Sequence, residues 1–201
     1  LKDIPWTGFV VKNLESRNFE AYYCADKASA LQKALELIPE GASVGWGGAM
    51  SAQQIGLMDA VKNGNYRAFD RADCKTQEER DQIALECLSA DVFLTGANGL
   101  SMNGEMVNID GMGNRVAALC YGPKQIIVIA GLNKVEPDLD SAIKRARNVA
   151  SPINTQRFNL DTPCTKTGAC FDCKNSDCIC AQMVITRICR PKNRIKIICW
   201  S

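Results

Sequence analysis

The sequence predicts an α/β fold with a mostly parallel sheet flanked by helices and a cysteine-rich C-terminal appendage. Helical and strand patterns alternate from Gly8 to about Ala150, which is typical of βα units. The apolar runs 91–95 and 125–130 show no polar alternation, as expected of central strands that are covered on both faces. The composition then changes, because eight basic and three acidic side chains give residues 151–201 a net charge of +5.

The first elements are marked by residue spacing and by helix breakers. Leu31, Leu35 and Ile38 have the spacing of a helix that ends at Pro39, and a strand follows over 42–46. Residues 76–79 form the capping box Thr-Gln-Glu-Glu. This box predicts a helix that reaches Ala90, just before the strand at 91–95.

The segment 96–122 contains six glycines and two strand-like pieces, 105–110 and 115–119. It is too long and too rich in glycine to be a plain loop. Beyond the next strand, Pro137 stands at the start of a further helix, and Pro152 is expected to end that helix.

We divide the chain into an α/β domain, residues 1–150, and a cysteine-rich metal-binding tail, residues 151–201. The tail is polar around its cysteines and ends in the strand-like run 194–199. We expect this last strand to return to the sheet.

The composition excludes several classes of protein. With 46% apolar and 23% charged residues, the chain is typical of a globular protein. No apolar run approaches the roughly 18 residues of a membrane span, and the first residues lack a signal-peptide pattern. The net charge of +2 is too balanced for a nucleic-acid partner. We expect a cytoplasmic protein, and a homo-oligomer is compatible with this composition.

The chain contains no histidine. A Ser-His-Asp triad, a His-Cys pair and zinc sites of the HExxH type are therefore excluded. Any proton transfer must therefore use aspartate, glutamate, lysine, tyrosine, serine or cysteine side chains.

Three polar loops follow predicted strands, where open α/β folds bind their ligands. The first loop, 44–51, is either a tight turn or an anion pocket in which backbone N–H groups and Ser51 bind a carboxylate. The second pairs Asn98 with the run 108–115, and the alternative is a hairpin in which Arg115 pairs with Asp110. The third ends in Lys134. The predicted ligand-binding residues are Gly47, Gly48, Ser51, Asn98, Asn114, Arg115 and Asn133.

Asp110 and Lys134 are the candidates for proton transfer, since both lie at predicted strand ends and could act with a shifted pKa. We expect the planar fork of Arg115 to bind the ligand carboxylate. On that interpretation Arg115→Lys would weaken ligand binding and leave stability nearly unchanged.

The tail carries the strongest motif, Cys164-x5-Cys170-x2-Cys173-x4-Cys178-x-Cys180. Four thiolates that include one CxxC pair can hold zinc or an iron–sulfur cluster, and the spacing does not choose between them. Disulfides are the alternative, although the compartment we expect is reducing.

The sequence resembles the lactate-utilisation (LUD) domain family, on the cysteine-tailed branch. The resemblance covers nearly the whole chain and rests on VGWGG at 44–48, DVFLTGAN at 91–98, GEMVNIDGMGNRVA at 104–117, YGPK at 121–124, GLNK at 131–134 and PCTKTGACFDC at 163–173. It implies a sheet like that of sugar-phosphate isomerases, coenzyme A transferases and 5-formyltetrahydrofolate cyclo-ligase.

Some members of this family belong to iron–sulfur systems that oxidise lactate to pyruvate. The resemblance implies that Cys164, Cys170, Cys173 and Cys180 hold a [4Fe–4S] cluster, with zinc as the alternative, and that Cys178 stands where the family pattern has an arginine. We therefore expect an iron–sulfur protein that acts in the oxidation or reduction of a small hydroxy- or oxo-acid, as an oxidoreductase or a subunit of one. Its partners would be iron–sulfur or flavin subunits that transfer electrons. The other hypothesis is a non-redox ligand-binding or assembly subunit with structural zinc.

Overall fold

The computed structural model describes residues 5–201 and contains ten strands in two sheets. In chain order the strands are β1 (Glu20–Cys24), β2 (Ser43–Trp46), β3 (Arg67–Phe69), β4 (Val92–Gly96), β5 (Gly99–Ser101), β6 (Met106–Asp110), β7 (Gln125–Gly131), β8 (Val135–Glu136), β9 (Gln182–Thr186) and β10 (Ile195–Trp200).

Nine α-helices lie among these strands in the described part of the chain. They are α1 (Pro5–Ser16), α2 (Lys27–Glu36), α3 (Met50–Gln54), α4 (Leu57–Asn63), α5 (Gln77–Leu88), α6 (Asn114–Cys120), α7 (Leu139–Arg145), α8 (Ser151–Arg157) and α9 (Pro163–Thr167). A π-helical turn, Ala146–Ala150, joins α7 to α8, and short 3₁₀ turns lie at Arg71–Asp73 and Leu132–Lys134. Within residues 5–201, none of the helices is both long and apolar enough to cross a membrane.

The six-stranded sheet is parallel throughout and has the order β1-β10-β7-β4-β2-β3. The two runs predicted to be central strands are β4 and β7, and they lie side by side in the middle of the sheet. Because all six strands point the same way, their carboxyl ends share one edge. The predicted α/β class with helices flanking a parallel sheet is confirmed.

Helices cover both faces of this sheet. On one face Leu14 of α1 and Leu119 of α6 pack with Phe93 and Ile126. On the other face Ala34 of α2, with residues of α3 and α4, packs on the opposite sides of the same strands. The two core clusters explain why β4 and β7 show no polar alternation in the sequence.

The last strand, β10, lies inside the large sheet between β1 and β7. The small sheet has the order β8-β5-β6-β9, so β9 also pairs with an earlier part of the chain. The helical run from α7 to α8 passes across residue 150. The division of the chain at that residue stays a prediction.

The capping box at 76–79 is present, with Thr76 accepting from the Glu79 backbone and Glu79 accepting from the Thr76 backbone. The prediction of a strand at 115–119 was wrong, because this stretch is helix α6. The carboxylate of Asp110 accepts hydrogen bonds from the backbone N–H groups of Arg115 and Val116. These bonds stabilise a helix start directly after β6.

The prediction that Pro152 ends the preceding helix was also wrong. Pro152 lies in the first turn of α8, where the missing N–H of proline breaks no helical hydrogen bond. The π-helical turn before it changes the hydrogen-bond spacing, and the Ser151 hydroxyl donates to Ala146 O at 3.0 Å. The start also differs, since Pro137 was predicted in the first turn but lies before Asp138, the residue that caps α7.

Candidate functional site

A cavity of about 770 Å³ opens at the carboxyl edge of the large sheet. Residues at or just beyond the carboxyl ends of all six parallel strands contribute to its wall. In sheet order, from β1 to β3, these are Lys27, Trp200, Lys134, Asn98, Ser51 and Arg71. The predicted polar loops therefore meet in one place, as the parallel strand direction requires.

Eight of the nine predicted ligand-binding and proton-transfer residues line this cavity. They are Gly48, Ser51, Asn98, Asp110, Asn114, Arg115, Asn133 and Lys134. The ninth, Gly47, supports the wall from behind, because a Cβ atom at this glycine would lie only 3.1 Å from Arg115 Cγ. That these nine residues bind a ligand or transfer a proton stays a prediction.

Arg115 is buried and its guanidinium binds protein oxygens. Nη1 donates to Asn108 Oδ1 at 2.6 Å, and Nη2 donates to Asn98 Oδ1 at 3.1 Å and to the Ile109 carbonyl. Burial lowers the pKa of Arg115, and the charge of Asp110 opposes this shift. The guanidinium therefore ties α6 to β6 and to the loop after β4, and contributes positive charge to the cavity.

Asp110 makes no ion pair with Arg115 in the described structure, and the hairpin alternative is wrong at this point. Its Oδ1 accepts from the Gly111 N–H at 2.9 Å, and its Oδ2 accepts from the N–H groups of Arg115 and Val116 at 2.9 and 3.1 Å. Three backbone donors thus converge on one carboxylate. The contacts of Asp110 are those of a helix cap at the cavity wall.

Lys134 lies in the cavity wall, in the short 3₁₀ turn that follows β7. Its Nζ donates to Ser51 Oγ at 2.8 Å. Burial, and then the positive charges of Arg145 and Arg115, lower the pKa of Lys134 from 10.5 to about 8. Its ammonium group can therefore lose a proton near neutral pH, which is the property required of a proton-transfer group.

The cavity is strongly cationic. Among its described lining residues, one carboxylate, Asp110, faces six basic side chains, which are Lys27, Arg71, Arg115, Lys134, Arg145 and Arg157. Four of these were not predicted. Lys27 and Arg71 directly follow β1 and β3, so recognising those two strands would have identified them, whereas Arg145 and Arg157 lie on helices and carry no local signal.

Arg145 positions two of the loops. Its Nη1 donates to the Asn98 carbonyl at 2.5 Å, and its Nε donates to the Asn133 carbonyl at 3.0 Å. One side chain thus joins the loop after β4 to the loop after β7. Burial lowers the pKa of Arg145, an effect that the carboxylate of Glu136 opposes.

The tail cysteines are neighbours in the fold. Burial, together with the nearby thiols of Cys178 and Cys170, raises the pKa of Cys180 to about 11, against a hydrogen bond to Ser151 that lowers it. Arg147 brings a positive charge to this group, with its Nη2 lying 3.6 Å from Cys170 Sγ.

Cys173 and Cys164 belong to the same group of thiols. A backbone hydrogen bond from Asn175 lowers the pKa of Cys173, but desolvation and the neighbouring Cys178 and Cys164 produce a net rise. Within residues 5–201, no three or more cysteine, aspartate or glutamate side chains stand in a metal-coordinating arrangement. The ligand set Cys164, Cys170, Cys173 and Cys180 stays a prediction.

The cysteine segment borders the cavity. Ile179, between Cys178 and Cys180, lines the cavity wall, and its backbone packs against Gly111. The helical run from α7 to α8 contacts both the cavity and the cysteine segment. Val149 and Ile153 line the cavity, whereas Arg147 and Ser151 contact cysteines.

These features define a class of protein, an α/β domain whose parallel sheet opens into a cationic cavity next to a group of thiols. The LUD domain family matches residues 9–199. The chain therefore belongs to the LUD domain family, which is associated in general with lactate utilisation, and the resemblance seen in the sequence is confirmed. No match was found among curated proteins.

Three solved structures are similar to this chain, and the first of them agrees with this assignment at the level of the fold. A DUF162 family protein from Deinococcus radiodurans is similar over 100% of this chain and 99% of its own, with a TM-score of 0.57 and 10% identity. Ribose 5-phosphate isomerase A from Neisseria gonorrhoeae matches 56% of this chain and 54% of its own, with a TM-score of 0.35 and 19% identity. The eIF2B delta protein from Chaetomium thermophilum matches 70% of this chain and 58% of its own, with a TM-score of 0.38 and 14% identity.

The contacts of Arg115 change the expectation for its substitution. Arg115→Lys removes the fork that reaches three oxygens, so we expect the free energy of unfolding to fall by about 2–4 kcal/mol. Arg71→Lys is the matched control, since within residues 5–201 Arg71 lines the same cavity without a side-chain hydrogen bond or ion pair. Chemical denaturation measures both. Equal stability of the two variants would show that the Arg115 contacts contribute little.

Lys134→Met should stabilise the protein. A lysine whose pKa is lowered by folding carries an energetic penalty while it is charged, so we expect a gain of about 1–2 kcal/mol at pH 7. The gain should shrink from pH 8 to pH 10.5, where the folded wild type has lost the proton that the unfolded chain still binds. Lys196→Met is the control and should destabilise, because Lys196 pairs with Glu20. A pH-independent difference between Lys134→Met and the wild type would contradict this interpretation.

Proposed function

We propose that this LUD domain binds a small hydroxy- or oxo-carboxylate in the cavity and acts in its oxidation or reduction, as an oxidoreductase or a subunit of one. The observation that carries the proposal is the charge of the cavity, six basic side chains against one carboxylate at the carboxyl edge of the sheet. Such a site attracts anions and favours the binding of a carboxylate in a partly desolvated position.

The proposed binding of the ligand centres on Lys134 and Ser51. Protonated Lys134 attracts the carboxylate, and the Ser51 hydroxyl, 2.8 Å from Nζ, is the nearest neutral donor. Asn98 and Asn114 contribute polar groups at the same wall. Met112, Ile153 and Phe158 lie at the exposed side of the cavity, where they can cover the apolar part of a ligand.

Lys134 suits proton transfer better than Asp110. With a pKa of about 8, its amine can accept the hydroxyl proton of a hydroxy-acid or return a proton to an oxo-acid. Asp110 already accepts three backbone hydrogen bonds, two of which come from the start of α6. We propose Lys134 as the proton-transfer group and Asp110 as the residue that positions the helix.

The chemistry of the tail fits a bound metal group. Neighbouring thiols contribute to the raised pKa values of Cys173 and Cys180, and a bound cation would favour their thiolate forms. We propose Cys164, Cys170, Cys173 and Cys180 as ligands. A [4Fe–4S] cluster would supply electron transfer beside the cavity, and zinc would supply structure alone.

The position of Ile179 supports a link between the two sites, since it follows Cys178 in the chain and lines the cavity. Electrons from a bound hydroxy-acid would have to leave through a partner, and a subunit with an iron–sulfur or flavin group has that chemistry. We propose a cytoplasmic assembly of this kind, in which further copies of the chain can take part.

The binding proposal predicts selectivity for anions. Lactate and pyruvate should bind more tightly than the uncharged lactamide and pyruvamide, by at least about tenfold or 1.4 kcal/mol. The affinity should fall as salt is raised, because the attraction is electrostatic. Calorimetric titration of the full chain measures both effects. Equal affinity for the acid and its amide would refute the proposal.

The metal proposal predicts about four iron and four sulfide per chain after anaerobic purification. Cys170→Ser should lose both, whereas Cys120→Ser, which changes an exposed thiol outside the tail, should retain them. Iron, sulfide and zinc analysis together with the visible spectrum decides the outcome. Stoichiometric zinc without sulfide would instead favour a non-redox ligand-binding or assembly subunit.

A further inference from the structure

Lys134 is unlike the other shielded lysines of the chain. Among residues 5–201, the partly shielded Lys33, Lys62 and Lys196 each pair with a carboxylate. In this described range Lys134 makes no ion pair with a carboxylate, and its hydrogen-bond partner is the neutral Ser51 hydroxyl. The fold thus holds a lysine amine among cations rather than beside an acid.

The wall beside this amine leaves room for a reacting atom. A Cβ atom at Gly96 would lie 3.5 Å from Lys134 Nζ, so the glycine keeps a side chain out of this space. Gly96, Ser51 and Lys134 all line the cavity. A carbonyl carbon of a bound ligand can approach Nζ from the cavity side.

We propose that the Lys134 amine forms an imine with the carbonyl carbon of a 2-oxo carboxylate, so that the cavity captures this ligand covalently. This inference rests on the proposed function, because it takes the ligand to be an oxo-acid. It adds a covalent step that ligand binding and proton transfer do not require.

The step is balanced by groups at the site. The nitrogen lone pair forms the C–N bond while the carbonyl π electrons move to oxygen, which is protonated to give a carbinolamine. Loss of one water molecule then gives the imine, and no oxidant or reductant is consumed. Ser51 Oγ, at 2.8 Å from Nζ, is placed to carry protons between nitrogen and oxygen. The charges of Arg115 and Arg145 favour the ligand carboxylate beside the amine.

The electrostatics of the site favour a nucleophilic amine. Burial and the two neighbouring arginines lower the pKa of Lys134 to about 8, so roughly a tenth of the amine is neutral at pH 7. Desolvation and a nearby cation are the two established ways of activating a lysine toward carbonyl groups. An exposed lysine would be almost entirely protonated at the same pH.

Reduction with borohydride tests the proposal. The full-length protein is incubated with pyruvate, and separately with phenylpyruvate, and is then treated with borohydride, which converts an imine to a stable secondary amine. We expect one adduct per chain by intact mass, located on the peptide that contains Lys134. Lys134→Arg should lose the adduct almost completely. Lys196→Arg, the matched change at a shielded and paired lysine, should keep it.

The outcomes separate the imine from the proposed function. An adduct on Lys134 that is lost in Lys134→Arg and kept in Lys196→Arg supports the proposal. Calorimetric binding of pyruvate without any adduct overturns the imine and leaves the carboxylate site in place, with Lys134 as an ionic contact. Adducts spread evenly over exposed lysines also overturn it. Absence of both binding and adduct refutes the imine and the proposed function together.

Discussion

The position of β10 between β1 and β7 is the constraint on which the rest of the structure depends. Ile195, Ile197 and Ile198 of this strand are at most 2% exposed, and the strand pairs along its length with both neighbours. β1 lies at the edge of the sheet and joins it only through β10. The last strand of the chain is therefore needed to hold the first one in the sheet, and burial of its apolar residues supplies the driving force.

This constraint also places the cysteine segment. The chain leaves α8 beside the cavity and must return to the large sheet between β1 and β7. On the way it pairs β9 with β6, in a register that sets Gln182 opposite Asp110. The residues just before β9 are thereby held against the Gly111 loop, and Ile179 becomes part of the cavity wall. The cavity and the cysteine segment therefore meet at Ile179.

Burial of the positive charges that line the cavity costs free energy of folding. Burial lowers the pKa values of Arg115, Lys134 and Arg145, which means that folding disfavours their charged forms. The two arginines are compensated by hydrogen bonds to protein oxygens. Lys134 is compensated least, with one neutral partner. A bound anion would offset this cost, so the carboxylate binding that we propose would also stabilise the fold.

The sequence by itself determined the α/β class, the two central strands and the polar loops at their carboxyl ends, because apolar runs, caps and glycines act through neighbours in the chain. The same local signals failed at 115–119, where two backbone N–H groups that donate to Asp110 favour a helix, and at Pro152, which a π-helical turn accommodates. Only the tertiary structure decided that Arg145 joins two loops, that Ile179 borders the cavity, and that Lys134 faces Ser51 rather than an acid. These outcomes depend on strand order and on contacts between distant segments, which no local pattern encodes.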